Sequence, residues 1–294
     1  MNWDFIYRGE TACLDDSARR GLGDSFARLS RGYTHYEIGG PKNGGAVVLV
    51  HGFSAPYFIW DPTFAFLTEA GFRVLRYDLF GRGFSDRPGV PNDLGLFLQQ
   101  LRELLDELSI QEAHVFGLSM GGAIAAAFAV EQPTRVRSLV LIDPVGPKPV
   151  PLRRIYRTLL LPGLGELVFG LVGSGRMAGG VASDIFGPAP AGEFQHRYRQ
   201  QLLFKGFKRS LLSSLRNGMI DGFPDVYRQL GRLRKLVLLI WGRDDRAVPL
   251  RQSKPLLDLV PQTEFNVLDD CGHTPHYEKP GIVNPLILDY LRRT

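Results

Sequence analysis

The sequence predicts an α/β protein with a mostly parallel β-sheet covered by helices on both faces. Short apolar runs alternate along the chain with segments whose apolar residues recur at helical spacing. Continuous apolar runs such as 46–50 are typical of strands buried on both faces of a parallel sheet. This alternation of strands and helices favours parallel pairing over an antiparallel arrangement.

The same pattern gives the elements in chain order. Strands are predicted at 33–38, 46–50, 72–77, 113–116, 136–142, 235–241 and 264–268. Helices are predicted at 61–70, 94–108, 120–131 and 283–293. Asp61 begins the first helix as an N-cap before a proline, and Pro133 stops the third. Residues 15–29 are compatible with a short helix, weakened by two glycines.

Residues 148–232 break the alternation with helical pieces separated by proline and glycine, which we interpret as an inserted helical cap. The predicted organisation is an N-terminal appendage at 1–30, a core at 31–147 and 233–294, and the cap at 148–232. The cap is basic, because residues 148–235 contain 15 Lys and Arg against five Asp and Glu.

Composition narrows the class of protein further. The 294 residues are 44% hydrophobic and 22% charged, which is typical of a globular chain. The net charge is +5, but the basic residues form no long run, so nucleic acid is not expected as a partner. Two cysteines are too few for a disulfide framework and have no metal-ligand spacing. A charged N-terminus and the lack of a long charge-free apolar run favour a cytoplasmic location.

A nucleophile motif stands between a predicted strand and a predicted helix. Gly117-Leu118-Ser119-Met120-Gly121 fits the pattern Gly-x-Ser-x-Gly. The pattern places a serine on a sharp turn, and small residues two positions away on either side let that turn close. The helix that follows directs its first amides toward developing negative charge. We therefore predict Ser119 as a nucleophile.

A serine nucleophile needs a general base, and three histidines follow Ser119 in the sequence. His273 is preferred because it follows the last predicted strand and its preceding glycine frees the loop. His276 is the competitor, with a cap or surface contact as its alternative role, and His196 lies in the cap.

The base needs an orienting carboxylate on the loop after the preceding strand. Asp245 is preferred there and Asp244 is the alternate, while Asp143 after an earlier strand is a weaker option. Asp269 and Asp270 are too near His273 in sequence and are expected to shape its loop.

Backbone amides should hold the oxyanion that forms on the attacked carbonyl. One is predicted from Phe53, in the loop after strand 46–50, and the other from Met120. His51 is expected to brace this loop rather than act as a base.

Together these residues resemble the α/β-hydrolase superfamily over 33–147 and 235–294. The His51-Gly52 loop, the segment 78–85, the Ser119 turn, the Asp245 loop and Cys271-Gly272-His273 fall in family order, followed by Glu278 and Pro280. The resemblance implies an α/β-hydrolase fold and a Ser119–His273–Asp245 triad without metal or organic cofactor. It also implies that the aspartate and glycines of 78–85 form a structural turn.

The resemblance also bears on the reaction. Superfamily dehalogenases and epoxide hydrolases carry an aspartate where this chain has Ser119. The His-Gly-Phe-Ser form is similar to monoacylglycerol-lipase-type members and carboxylesterases, and speaks against haloperoxidases and carbon–carbon bond hydrolases. The expected function is carboxylic ester hydrolysis through an acyl-enzyme. The alternatives are a thioesterase, lactonase or carbon–carbon bond hydrolase, or a non-catalytic ligand-binding member.

The cap is expected to select the substrate. Ser54, Tyr57, Leu161 and Phe186 are the candidate substrate contacts, since the apolar run 158–169 and nearby aromatics are suited to an acyl chain. The expected substrate is therefore a small ester with an apolar acyl part. Basic cap residues, Arg153, Arg154 and Arg157 among them, suggest attraction of anionic esters or docking on anionic lipid.

Overall fold

A computed structural model describes residues 7–22, 25–151, 159–171 and 191–294. Within these residues the sheet has eight strands in the order β1-β2-β4-β3-β5-β6-β7-β8. The strands are β1 Ser25–Leu29, β2 Gly32–Gly39, β3 Ala46–Val50, β4 Arg73–Tyr77, β5 Ala113–Leu118, β6 Val136–Ile142, β7 Val237–Gly242 and β8 Thr263–Leu268. Strand β2 pairs antiparallel with both β1 and β4. The other pairs of the described sheet, from β4–β3 to β7–β8, are parallel. The mostly parallel α/β-hydrolase sheet expected from the sequence is confirmed.

Helices pack on both faces of this sheet. The helices of the described residues are α1 Asp16–Leu22, α2 Asp61–Glu69, α3 Leu94–Glu107, α4 Met120–Glu131, α5 Leu164–Leu171, α6 Ala191–Gln201, α7 Phe207–Arg216, α8 Pro224–Leu233, α9 Ser253–Leu259, α10 Pro275–Glu278 and α11 Pro280–Arg293. Strand β3 shows the two-sided burial: Val48 and Val50 pack on the face with α3 and α4, while Val47 and Leu49 pack on the face with α2 and α11. Alternate side chains of a strand point to opposite faces, so a continuous apolar run fills both cores.

The N-terminal stretch differs from its prediction. One helix was expected within 15–29, but α1 ends at Leu22 and residues 25–29 form β1. Strand β1 lies at the sheet edge with only Ala27 buried, so it has no apolar alternation to reveal it.

The N-terminal segment packs on helices between β6 and β7. The Glu10 carboxylate accepts hydrogen bonds from the backbone amides of Gly206 and Lys208, both at 2.7 Å. Ala12 forms a β-bridge with Phe204. In the described part of 148–232 the chain is helical and adds no strand to the sheet, while the cap boundaries themselves remain predictions. None of the described helices combines the length and apolar character needed to cross a membrane.

Candidate active site

Ser119 lies on a tight turn between β5 and α4. Its φ is 53° and its ψ −119°, a left-handed region that is strained for a residue with a side chain. A β-carbon on Gly117 would lie 2.3 Å from the carbonyl oxygen of Gly121, and one on Gly121 would lie 2.3 Å from that of Val50. Both contacts are far inside van der Waals distance, so the turn requires the two glycines of the motif.

Backbone hydrogen bonds hold the turn in place. The Ser119 amide donates to the Ile142 carbonyl, and the Ser119 carbonyl accepts from the Val145 amide, both at 2.9 Å. Met120 follows as the first residue of α4. The first amides of a helix have no intrahelical acceptor, so that of Met120 is available for an anion.

His273 and Asp245 are hydrogen-bonded, with Nδ1 of the imidazole 2.7 Å from Oδ2 of the carboxylate. The other oxygen, Oδ1, accepts from the amides of Ala247 at 2.7 Å and Val248 at 2.9 Å. Asp244 is exposed, and its amide donates to the Cys271 carbonyl. The structure therefore brings the preferred acid and base together and leaves the alternate acid on the surface.

Glu278 holds the loop that carries His273. Its carboxylate accepts from the Gly272 amide at 2.7 Å and from the Thr274 amide at 2.8 Å, one on each side of the histidine. The sequence showed Glu278 only as a match to the family pattern, and its clamping contacts could not be read from spacing.

His276 occupies a different environment from the one expected. It was assigned a cap or surface contact, but it is fully buried with its ring 4.2 Å from that of Trp60. Burial lowers its pKa to about 3. Its short helix α10 turns it away from solvent and into the apolar core of the α2 face.

His51 braces the loop after β3. Its Nε2 accepts from the Leu79 amide, and its Nδ1 donates to the Gly52 carbonyl, both at 2.9 Å. Burial lowers its pKa to about 4, which keeps the ring neutral at physiological pH. Gly52 approaches the nucleophile closely, since a β-carbon there would lie 3.3 Å from Cβ of Ser119. The predicted oxyanion loop therefore lies directly beside Ser119.

Arg82 contacts the predicted oxyanion loop in a way that the sequence did not reveal. Its Nε donates to the Phe53 carbonyl at 2.9 Å, and its Nη2 donates to Oγ of Ser214 in α7 at 2.8 Å. The side chain is fully buried. One guanidinium thus joins the predicted oxyanion loop to a helix of the predicted cap.

The segment 78–85 forms a structural turn. The Asp78 carboxylate accepts from the amides of Tyr57 and Phe84 at 2.9 Å and bonds His35 at 2.7 Å. A β-carbon on Gly83, whose φ is +50°, would lie 2.0 Å from this carboxylate. Asp78 therefore organises the loops beside the site.

The four candidate substrate contacts lie in different environments. Ser54 is half-buried and lies near Tyr198 in α6. Tyr57 packs edge-on against His35 with ring centroids 4.6 Å apart. Leu161 is 54% exposed on the surface, and Phe186 lies outside the described residues. A role in substrate binding remains a prediction for all four.

Part of the basic charge of the predicted cap is neutralised locally. Arg197 pairs with Asp61, and Arg216 pairs with Glu166. Arg153, Arg154 and Arg157 lie outside the described residues, so contact with anionic lipid remains a prediction.

Asp143 completes a buried group with Asp245 and His273, in which one oxygen or nitrogen of each lies within 4.8 Å of the others. This spacing would suit a metal ion. The short Asp245–His273 hydrogen bond is also the contact expected between a general base and its orienting acid. Asp143 follows Ile142, whose carbonyl accepts from the Ser119 amide at 2.9 Å, so this group lies on the strand next to the Ser119 turn.

The family model described as "Alpha/beta hydrolase family" matches residues 47–286. The chain belongs to the alpha/beta hydrolase family. This match spans β3 to α11 and includes Ser119, Asp245 and His273.

Several similar proteins are named as hydrolases of oxo-dienoates. The chain is 32% identical to the 2-hydroxy-6-oxononadienedioate/2-hydroxy-6-oxononatrienedioate hydrolase of Paraburkholderia phymatum, over 76% of this chain and 77% of that protein. It is 29% identical to the 2-hydroxy-6-oxo-6-phenylhexa-2,4-dienoate hydrolase of Comamonas testosteroni, over 90% and 93%.

Among solved structures, the meta-cleavage product hydrolase of Pseudomonas fluorescens aligns with a TM-score of 0.77 at 23% identity, over 92% of this chain and 99% of that one. The comparisons thus establish a hydrolase of this fold. They favour the carbon–carbon hydrolase alternative over the expected ester hydrolase, against the expectation drawn from the His-Gly-Phe-Ser loop.

Proposed function

We propose that this chain is a serine hydrolase that cleaves a carbon–carbon bond beside a ketone in a carboxylated substrate. The observation that carries the serine chemistry is the hydrogen bond between Asp245 and His273, taken together with the strained Ser119 turn. The substrate class is supported by the relatives, whose named substrates are 2-hydroxy-6-oxo-dienoates. Such compounds contain a ketone and no ester, so their hydrolysis must break a carbon–carbon bond.

The residues would divide the reaction as follows. His273 takes the proton of the Ser119 hydroxyl while Oγ bonds to the ketone carbon, and the amides of Phe53 and Met120 stabilise the oxyanion. The carbon–carbon bond then breaks, and the departing carbon takes the proton held by His273. A water molecule then gives a proton to His273 and attacks the acyl-enzyme. The bond between the acyl carbon and Oγ breaks, the acid is released, and His273 returns the proton to Oγ of Ser119. Asp245 holds the imidazole in its working orientation throughout.

Carboxylic ester hydrolysis is the second candidate, favoured by Ser54. Many family members carry a glycine at this position, and the serine form is similar to carboxylesterases and monoacylglycerol-lipase-type members. Ser54 lies in the predicted oxyanion loop near Tyr198, so it changes the polarity beside the reacting carbonyl. The same triad would act on an ester, with an alcohol as the leaving group.

One assay separates the candidates. Wild type, Ser119→Ala and the exposed control Ser30→Ala are compared on a 2-hydroxy-6-oxo-dienoate and on nitrophenyl esters of increasing chain length. We expect kcat/KM for the dienoate to exceed that for every ester by about 100-fold, since a site selective for a carboxylated dienoate leaves polar groups unpaired when an ester binds. Only Ser119→Ala should lose both activities. Turnover of esters alone would overturn the carbon–carbon assignment in favour of the second candidate.

A further inference from the structure

A second carboxyl group, that of Asp143, lies beside the Asp245–His273 pair. Asp143 follows the last residue of β6 and adopts a positive φ of 42°, which is uncommon for a non-glycine residue. Its amide donates to the Ile240 carbonyl at 3.0 Å, which fixes the backbone at this point. The side chain is fully buried. A strained backbone and complete burial together indicate a position that the surroundings strictly determine.

The two carboxyl groups differ in the donors that reach them. Asp245 accepts three hydrogen bonds, from Ala247, Val248 and His273. Asp143 accepts one at Oδ1, from the Gly242 amide at 3.0 Å. Its Oδ2 is buried, and within the described parts of the chain no donor reaches it. The donor count therefore stabilises a negative charge on Asp245 and leaves Asp143 poorly suited to carry one.

The surrounding charges act in the same direction. Burial, followed by the charge of Asp245, raises the pKa of Asp143 well above its usual range, and Glu278 contributes further. The titratable groups facing it are Asp245, His273, Glu278 and Cys271. Of these only His273 can be cationic, and it is already bonded to Asp245. A second carboxylate here would be buried beside an existing one without a cation of its own.

We propose that Asp143 is a positioning residue whose protonated carboxyl donates a hydrogen bond to the carboxylate of Asp245. The proton turns the unmatched Oδ2 into a donor and gives Asp245 a fourth hydrogen bond. Asp245 is thereby held in the orientation that His273 needs, and the pair keeps a single negative charge. The catalytic part of this inference rests on the proposed serine hydrolase function, whereas the location of the proton does not.

Two variants separate a protonated donor from an ionised acid. Asp143→Asn keeps an acceptor for the Gly242 amide and an N–H donor for Asp245, so we expect kcat within about threefold of wild type. Asp143→Leu has a similar volume and removes the donor, so we expect kcat to fall about tenfold or more with KM changed far less. If Asp143 were the ionised acid, Asp143→Asn would lower kcat by about 10⁴-fold, which would overturn the proposal.

Infrared spectroscopy at pH 7 tests the proton without any turnover. Wild type should show the carbonyl band of a protonated carboxylic acid, and Asp143→Asn should lose it. The control Asp269→Asn alters an exposed carboxylate on a neighbouring loop and should retain the band. Absence of a band that depends on Asp143 would overturn the proposal, even where Asp143→Leu does not fold. Failure of the proposed function would instead appear as lost turnover on every substrate with this band unchanged.

Discussion

His273 and Asp245 stand 28 residues apart in the sequence, yet Nδ1 of one lies 2.7 Å from Oδ2 of the other. The loops after β7 and β8 bring them together, because those strands are parallel neighbours whose carboxyl ends share one edge of the sheet. The amides of Ala247 and Val248 fix the opposite carboxylate oxygen. Asp245 is therefore anchored by its own loop while it is hydrogen-bonded to the histidine.

Replacing Asp245 by asparagine should lower kcat by about 10⁴-fold, because the amide favours the wrong imidazole tautomer. Asp244→Asn is the matched control, since Asp244 is the exposed neighbour. Its kcat should stay within about twofold of wild type, as expected for a surface substitution. Steady-state kinetics of the two variants gives both kcat values. An equal loss of kcat in both would contradict Asp245 as the acid that orients His273.

Arg82→Lys should lower kcat by about 10-fold or more, since a lysine cannot contact the Phe53 carbonyl and Ser214 with one planar fork. Misplacing the Phe53 amide weakens an oxyanion contact that matters mainly in the transition state, so KM should change less. Arg102→Lys, on an exposed and paired arginine, is the control. Wild-type kcat in Arg82→Lys would show that the oxyanion loop does not depend on this contact.

Three buried histidines should make the fold sensitive to acid. Burial lowers the pKa of His51 to about 4, of His114 to about 4 and of His276 to about 3, from an ordinary value of 6.5. The unfolded chain binds protons that the folded chain does not, so the free energy of unfolding decreases as pH falls below about 6.5. Between about pH 6 and pH 4.5, each histidine should lower the free energy of unfolding by about 1.4 kcal/mol for each unit that the pH falls.

Urea unfolding at several pH values in this range measures how steeply the free energy of unfolding depends on pH. His114→Gln should reduce the slope by the contribution of one proton, whereas the exposed His196→Gln should leave it unchanged. An equal slope in His114→Gln and wild type would mean that His114 is protonated in the folded protein.

Asp143 should have the opposite dependence on pH. Its pKa is raised in the folded protein, so the folded chain holds a proton that the unfolded chain releases above about 4. Stability contributed by this group is present at low pH and is lost as pH rises. The unfolding free energy of Asp143→Asn relative to wild type should therefore grow by about 1.4 kcal/mol per pH unit above about pH 4. A difference independent of pH would contradict a protonated Asp143.

The sequence predicted the strands and helices that carry strong apolar patterns. Strands β3 and β6 have the predicted bounds, because a continuous apolar run between polar residues has few alternatives. Strand β1 was missed since its pairing with β2 at the sheet edge leaves a single buried residue. Local pattern does not report a strand whose stability comes from its partner.

The candidate site also has one part that the sequence predicted and one part that it did not. Ser119 and the loops of Asp245 and His273 follow from short motifs and chain order. The sequence offered Asp143 only as a weaker candidate acid and did not reveal the contacts of Arg82. Their contacts join distant segments, namely the Phe53 loop with Ser214 in one case and the ends of β6 and β7 in the other. Tertiary proximity of this kind leaves no spacing in the sequence.

The most direct test of the account is covalent labelling of Ser119. Intact-mass measurement after incubation with a fluorophosphonate should show a single adduct on the wild-type chain, and peptide mapping should place it on Ser119. Ser119→Ala, folded like wild type by circular dichroism, should remain unlabelled. An adduct on another residue, or equal labelling of Ser119→Ala, would contradict Ser119 as the nucleophile.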